Sequence, residues 1–141
     1  MSQDPLEVIR EQYTATNARD FDRAMELYAD DVVLVVGESF LNTGTFEGKE
    51  AVGEWFGDWF RAFGRDYRFD VEELRDLGGG VVYLSASYGG SGRVSGVEVH
   101  DRRAYLYRVE DGLITRVQFF LTRDSAMEAA SLPEWSEPKT D

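Results

Sequence analysis

Between Gly48 and Gly64, large apolar side chains recur at steps of three and four: Val52, Trp55, Phe56, Trp59, Phe60 and Phe63. That spacing lays a broad aromatic stripe along one side of a helix spanning 49–63, and Gly64 suits its C-terminal stop. A helix with so many rings on one side has to cover a large apolar surface, and the chain downstream supplies one as strands. Residues 68–77 alternate loosely, Gly78-Gly79-Gly80 is a turn, and 81–88 form a strand. Gly89, Gly90, Ser91 and Gly92 mark a further turn or a bend in the sheet. A long strand follows over 96–109, and 113–121 form the last one. Between them Glu110-Asp111-Gly112 reads as a three-residue hairpin loop, with Gly112 in the left-handed bulge position.

Upstream, Asp4 caps a helix that opens on Pro5, carries Glu7 at capping-box spacing and runs to about residue 18. Asp20 opens a second, short helix ending near residue 29, and the β-branched run 32–36 is a strand. A loop with Gly37, Asn42 and Gly44 leads to the aromatic helix. At the far end Asp124 caps a short helix over 125–130. There is no internal repeat or linker. The expected organisation is one domain over 1–132 and a flexible C-terminal tail over 133–141, which holds Pro133 and Pro138. Helices grouped early and strands grouped late give an α+β class, with the helices packed on one face of a curved, mostly antiparallel sheet.

Composition narrows the chemistry. The chain has 141 residues, with 27 acids against 15 bases and a formal charge of −12. That balance argues against nucleic acid and against an anionic membrane surface as partners. There is no cysteine, which removes disulfides, zinc ribbons and thiol nucleophiles, and the single histidine, His100, makes a His-based metal site or triad a poor fit. No ligand-spaced acidic loop is present, so neither metal nor cofactor is expected. The polar N-terminus lacks an apolar signal core, and no apolar run is long enough to span a bilayer; the expectation is a cytoplasmic protein.

Three stretches carry a family resemblance: FDRAMELYADDVVLVV over 21–36, GTFEGKEAVGEWFGDWFRAF over 44–63, and VEVHDRRAYLYRVEDGLITRVQFFLTRDSAMEAA over 97–130. With the element order they resemble the SnoaL-like branch of the NTF2-like superfamily, over roughly residues 5–132. The resemblance implies a cone-shaped fold, with helices on the concave face of the sheet and two copies pairing through the outer face. It also implies a range of functions, from isomerases and cyclases to non-catalytic binding modules. Carried over residue by residue, Tyr13 stands within one position of the oxyanion-donating tyrosine of ketosteroid isomerase relatives. The general-base position falls at Val36, the third-helix tyrosine at Phe56, the oxyanion-hole aspartate near Tyr105, and the last-strand aspartate of epoxide-hydrolase relatives near Phe119. Asp101 alone lies where cyclase relatives hold a late-strand carboxylate.

Strand alternation sorts the remaining candidates. A three-residue loop pairs Tyr107 with Thr115 and Tyr105 with Val117, which turns Asp101, Tyr105 and Tyr107 inward together with Phe119. Glu38, two positions beyond Val36, shares that residue's parity and is a second candidate base. Trp55 and Trp59 are the ring surface for an apolar ligand. His100 has the outward parity, as do Arg108 and Arg116, which this register makes diagonal neighbours on a solvated face with Leu106, Ile114 and Phe120. Two functions stay open. One is proton transfer on a small apolar carbonyl or polycyclic compound, by Asp101 or Glu38 with Tyr13 and Tyr105 stabilising an enolate. The other is a non-catalytic small-molecule-binding or accessory dimerisation module. A homodimer is expected in either case.

Overall fold

The aromatic helix forms where the spacing predicts it, and its rings organise one side of the protein. The computed structural model describes residues 4–37, 44–63, 68–91 and 98–136, with side chains described for 4–37, 44–59, 70–87, 103–133 and 135. The order is α1 (Pro5–Asn17), α2 (Phe21–Glu26), β1 (Tyr28–Val36), β2 (Gly44–Glu47), α3 (Lys49–Phe63), β3 (Arg68–Gly78), β4 (Val81–Ser91), β5 (Glu98–Glu110), β6 (Leu113–Phe120), α4 (Arg123–Ala130) and α5 (Pro133–Ser136). The Asp4 carboxylate accepts from the Leu6 N–H at 3.0 Å, which fixes the start of α1, and Asp20 accepts from the Arg23 N–H at 3.2 Å to start α2. The second helix is shorter than its pattern predicts: Tyr28 and Ala29 already belong to β1. At the junction the Ile114 N–H donates to the Leu27 carbonyl at 2.8 Å, tying this corner to β6.

The six strands form one sheet in the order β2-β1-β6-β5-β4-β3. All neighbours are antiparallel except β1 and β6, which run parallel, with Leu34 against Val117. This overturns the expected cone. The sheet is open, its edges are β2 and β3, and it is neither closed nor strongly curled. The expected bend at the glycines does not interrupt the ladder, since Gly89, Gly90 and Ser91 pair with His100, Val99 and Glu98 without a register shift. The strand pattern also hides β2, whose four residues pair only with β1 at the sheet edge.

A second correction concerns the helices, which lie on both faces. On the inner face, α1 and α3 pack against Val32, Leu34 and Val36 of β1, Val82, Leu84 and Ala86 of β4, Tyr105, Tyr107 and Val109 of β5, and Val117 and Phe119 of β6. On the outer face, Ala126 and Ala129 of α4 and Trp135 of α5 bury Val81, Tyr83, Ala104 and Leu106. The span read as a tail thus contributes Trp135, which is 1% exposed. Among the described residues, no helix is long and apolar enough to cross a membrane.

The β5–β6 hairpin differs from its predicted form in a way that matters for the site. Glu110 pairs with Leu113, so the turn has two residues, Asp111 and Gly112, with φ of 53° and 79°. Two successive left-handed residues make the tight turn that suits the twist of flanking strands, and Asp-Gly is a favoured pair for it. A register shift between Arg108 and Val109 then leaves Thr115 as the extra residue. In consequence Tyr107 faces Val117 and Tyr105 faces Phe119, two positions from the predicted register but on the same face. Ile114 moves from the outer face into the inner core beside Val109, and Arg108 and Arg116 become direct partners rather than diagonal ones.

Candidate functional site

The inner layer is built of rings in continuous contact. Trp55 and Trp59, one helical turn apart on α3, stack at 5.2 Å and 21°. Trp55 meets Phe119 of β6 edge to face at 5.3 Å, and Phe119 meets Tyr105 of β5 in the same way at 4.8 Å. Tyr105 and Tyr107 follow at 6.3 Å. Phe56 joins from α3, 5.4 Å from Trp55 and 6.0 Å from Tyr28 of β1. These distances and tilts are those that aromatic quadrupoles favour. The period of α3 and the alternation of β5 and β6 bring the rings to one surface. Tyr13 of α1 is half-buried against the same layer.

Of the residues the sequence singles out, the structure brings Tyr105, Tyr107, Trp55, Trp59 and Phe119 together, with Tyr13 and Phe56 bordering them. Val36, at the relatives' general-base position, is buried in this core. Glu38 lies outside the described residues. The backbone of Asp101 is in β5, paired with Tyr88, and its side chain, like that of His100, is not among those described. No carboxylate is buried among the described residues; the buried polar side chains are Gln12, Thr16 and Arg108. Nor do the described residues hold a cluster of histidine, cysteine, aspartate or glutamate able to bind a metal ion.

Tyr28 is the residue that sequence reasoning misses. Its place beside the helical run 21–26 makes it look like the last residue of a helix face, whereas it opens β1 with its ring inward. Its hydroxyl is buried and has no hydrogen-bond partner among the described residues. Leaving such a group unsatisfied costs about 1–3 kcal/mol. Burial lifts the Tyr28 phenol well above its ordinary range, and Tyr107 nearby adds to the effect. Burial likewise pushes the Tyr107 phenol up. Both therefore stay protonated at neutral pH and are available as donors. On α1, the Gln12 amide donates to the Thr16 hydroxyl at 3.1 Å, and the Gln12 Oε1 is buried with no hydrogen-bond partner among the described residues.

The outer face holds the arginines. The Arg108 guanidinium is buried and donates to the Trp135 carbonyl at 2.8 Å. It lies 5.7 Å from the Trp135 ring centre, and Arg116 lies 5.4 Å from it. The Trp135 indole N–H donates to Gln118 at 3.2 Å. The expected solvated face is thus partly roofed by α5. Leu106, one of the apolar residues expected to support pairing of two copies there, is covered within the chain.

A family model described as a SnoaL-like domain matches residues 9–117. The chain belongs to the SnoaL-like family. Solved structures agree on the fold. This SnoaL-like chain is similar to an NTF2-like protein from Burkholderia thailandensis, at 21% identity and a TM-score of 0.76, over 92% of this chain and 99% of that one. It is similar to TerC co-crystallised with polyporic acid, at 19% identity and a TM-score of 0.73, over 89% and 97% of the two chains. It is also similar to RV0760c from Mycobacterium tuberculosis in complex with estradiol-17beta-hemisuccinate, at 24% identity and a TM-score of 0.70, over 86% and 97%. No curated protein gives a significant match.

Proposed function

We propose that this SnoaL-like protein binds a flat, apolar, carbonyl-bearing or polycyclic molecule at the aromatic layer between α1, α3 and the inner face of the sheet. The observation that carries this reading is the unbroken chain of rings from Trp59 through Trp55 and Phe119 to Tyr105 and Tyr107, bordered by the half-buried Tyr13 and Phe56. Rings of this kind offer a ligand apolar area, and the phenols among them offer a few placed polar groups. Two structural relatives support the reading at the level of the fold, since each was crystallised with a small molecule. The test is titration of the protein with flat aromatic ketones while indole fluorescence is followed. Saturable quenching is expected, weakened about tenfold or more in Trp59→Ala. Absence of saturable binding across such a panel would sink the reading.

The chemistry proposed for this site is proton transfer, with Asp101 as carrier. Asp101 has the same strand parity as Tyr105 and Tyr107, four and six positions along β5. A carboxylate of that parity is of the right type to carry a proton in acid–base work. Asp101→Asn would remove about two orders of magnitude in rate while leaving ligand affinity nearly intact. If a substrate is turned over and this change leaves its rate alone, Glu38 takes the role. If ligands bind and none is turned over, the non-catalytic binding module is the correct reading. Two copies are proposed to associate, using the exposed Leu121 and Leu132 that flank α4. A light-scattering mass near the 16.0 kDa of one chain at micromolar concentration would refute the dimer.

A further inference from the structure

The inner face carries a cation at the end where its packing opens. Tyr107 faces Val117 and Tyr105 faces Phe119, so β5 and β6 can be compared level by level. Tyr107 and Val117 are 3% and 0% exposed, Tyr105 and Phe119 are 5% and 7%, and Leu121, just past the end of β6, is 45% exposed. The layer is thus sealed at Ile114 and Val117 and loosens beyond Phe119. Arg103 stands at the loosening end, one residue beyond the pair Ala104 and Phe120. It belongs to the inner face. It pairs with Ala86 of β4, which is buried in the inner core, and the register runs without a shift from there to Tyr105 opposite Leu84. Arg103 is half-buried with its Nε beneath the surface, so the side chain borders the apolar layer and is in part open to solvent.

We infer that Arg103 recognises an anion at the open end of the aromatic layer, and that the ligand carries a carboxylate or comparable oxyanion beside its flat apolar part. The inference rests on the binding reading above and adds the ligand's charge. A guanidinium presents five N–H donors in a planar fork, so it can serve a carboxylate of this chain and a ligand oxyanion together. Two parallel hydrogen bonds from that fork match a carboxylate, and such charge-assisted bonds are roughly twice as strong as neutral ones. Partial burial beside apolar rings strengthens the attraction further, because water screens it less. The flat part of the ligand would meet Tyr105 and Phe119, the ring pair nearest Arg103 along the two strands. The rest of the protein works against this choice. A formal charge of −12 repels anions and attracts cations, so a preference for an anion has to come from a local cation.

The test uses three probes on one ring frame, titrated against the whole protein at neutral pH. Each is 9-fluorenone bearing, at the same ring position, a carboxylate, a neutral carboxamide or a cationic aminomethyl group. The carboxylate is expected to bind about tenfold more tightly than the carboxamide, and the cation more weakly than both. The field of the whole protein alone would give the reverse order. In Arg103→Gln the lead of the carboxylate is expected to vanish while carboxamide affinity stays within about twofold. Should that variant fail to fold, Arg103→Lys takes its place. Lysine keeps the charge but loses the planar fork, so the order is expected to hold with the lead of the carboxylate cut about threefold or more. Equal affinities or the reverse order in the native protein overturn the inference, as does a lead that survives in Arg103→Gln or is untouched in Arg103→Lys. In each of these cases binding of the carboxamide leaves the binding reading standing. If none of the three probes binds, the binding reading falls and takes the inference with it.

Discussion

Arg108 and Arg116 stand directly opposite each other on β5 and β6, and the Trp135 ring lies within cation–π distance of both. Like charges at directly opposed positions destabilise a sheet. Here the indole face attracts both guanidiniums, and the Trp135 carbonyl accepts from Arg108. The short helix α5 therefore offsets a repulsion that the strand register creates.

Trp135→Ala should be among the most destabilising single changes in the chain, by about 3–5 kcal/mol, since it empties the centre of the outer core and uncovers both arginines. Trp135→Phe should cost clearly less, losing the donation to Gln118 and part of the volume. Urea denaturation at neutral pH measures both. A loss below about 1 kcal/mol for the alanine variant would show that α5 is not part of the folded core.

Gly80 has φ of +84°, and a Cβ built there would sit 2.5 Å from the Val109 carbonyl oxygen. Its own carbonyl accepts from the Val109 N–H at 2.8 Å, so the turn cannot simply back away. Gly80→Ala should cost about 2 kcal/mol or more, through left-handed strain and backbone contact together. Gly79, with φ of +63° and open space around it, should tolerate the same change at about half that cost. Thermal melts of the pair decide the order.

The buried phenols set an alkaline limit. The folded-state pKa of Tyr28 is raised above its unfolded value near 10, so its contribution is fully present below about pH 10 and is lost as pH climbs toward the folded value. Tyr107 acts in the same direction. Denaturation midpoints followed from pH 8 to pH 11 should fall at the alkaline end in the native protein. They should fall less in Tyr28→Phe with Tyr107→Phe. Identical alkaline limbs would show that these phenols ionise in place.

Glu73 sets a weaker acid limit. Arg123 bonds its carboxylate through two nitrogens at 3.2 and 3.4 Å, and Arg75 approaches at 2.9 Å. Together, Arg123 first, they hold this carboxyl below its ordinary value of 4.5. Its contribution is present above that value and lost as pH falls through the folded one. The group is partly exposed, so the effect is small and fades in salt. Glu73→Gln should flatten the stability curve below about pH 4.5 at low ionic strength, with no change at neutral slope. A curve that stays parallel to that of the native protein would refute the assignment.

The elements with strong periodicity are legible from residues alone. The stripe from Val52 to Phe63 fixes α3, the caps at Asp4 and Asp20 fix two helix starts, and alternation places Tyr105 and Tyr107 inward. Register is harder, because it depends on a turn whose length composition does not settle. A two-residue Asp111-Gly112 turn with Thr115 bulged keeps the parity of the tyrosines, yet it sends Ile114 inward and sets two arginines face to face. Tyr28 and Trp135 are hidden for another reason. Each sits next to a segment whose local signal points elsewhere, a helical run before Tyr28 and a proline before Trp135, and tertiary packing decides both. The openness of the sheet has no local signal either, since edge pairing is a property of all six strands together.

The parallel pairing of β1 with β6 has a kinetic consequence. Val33 of the first strand finds its partner in Arg116 of the last, so α3 and strands β2 to β5 all lie in the chain between them. On a ribosome, β1 emerges early and waits with one edge unpaired until β6 has left the exit tunnel. The antiparallel run from β3 to β6 can zip through nearest neighbours, whereas joining β1 to it closes the longest loop between any two paired strands of the sheet. That closure is the natural rate-limiting step of folding. Until it occurs, the waiting valines of β1 are the segment most in need of protection by a chaperone.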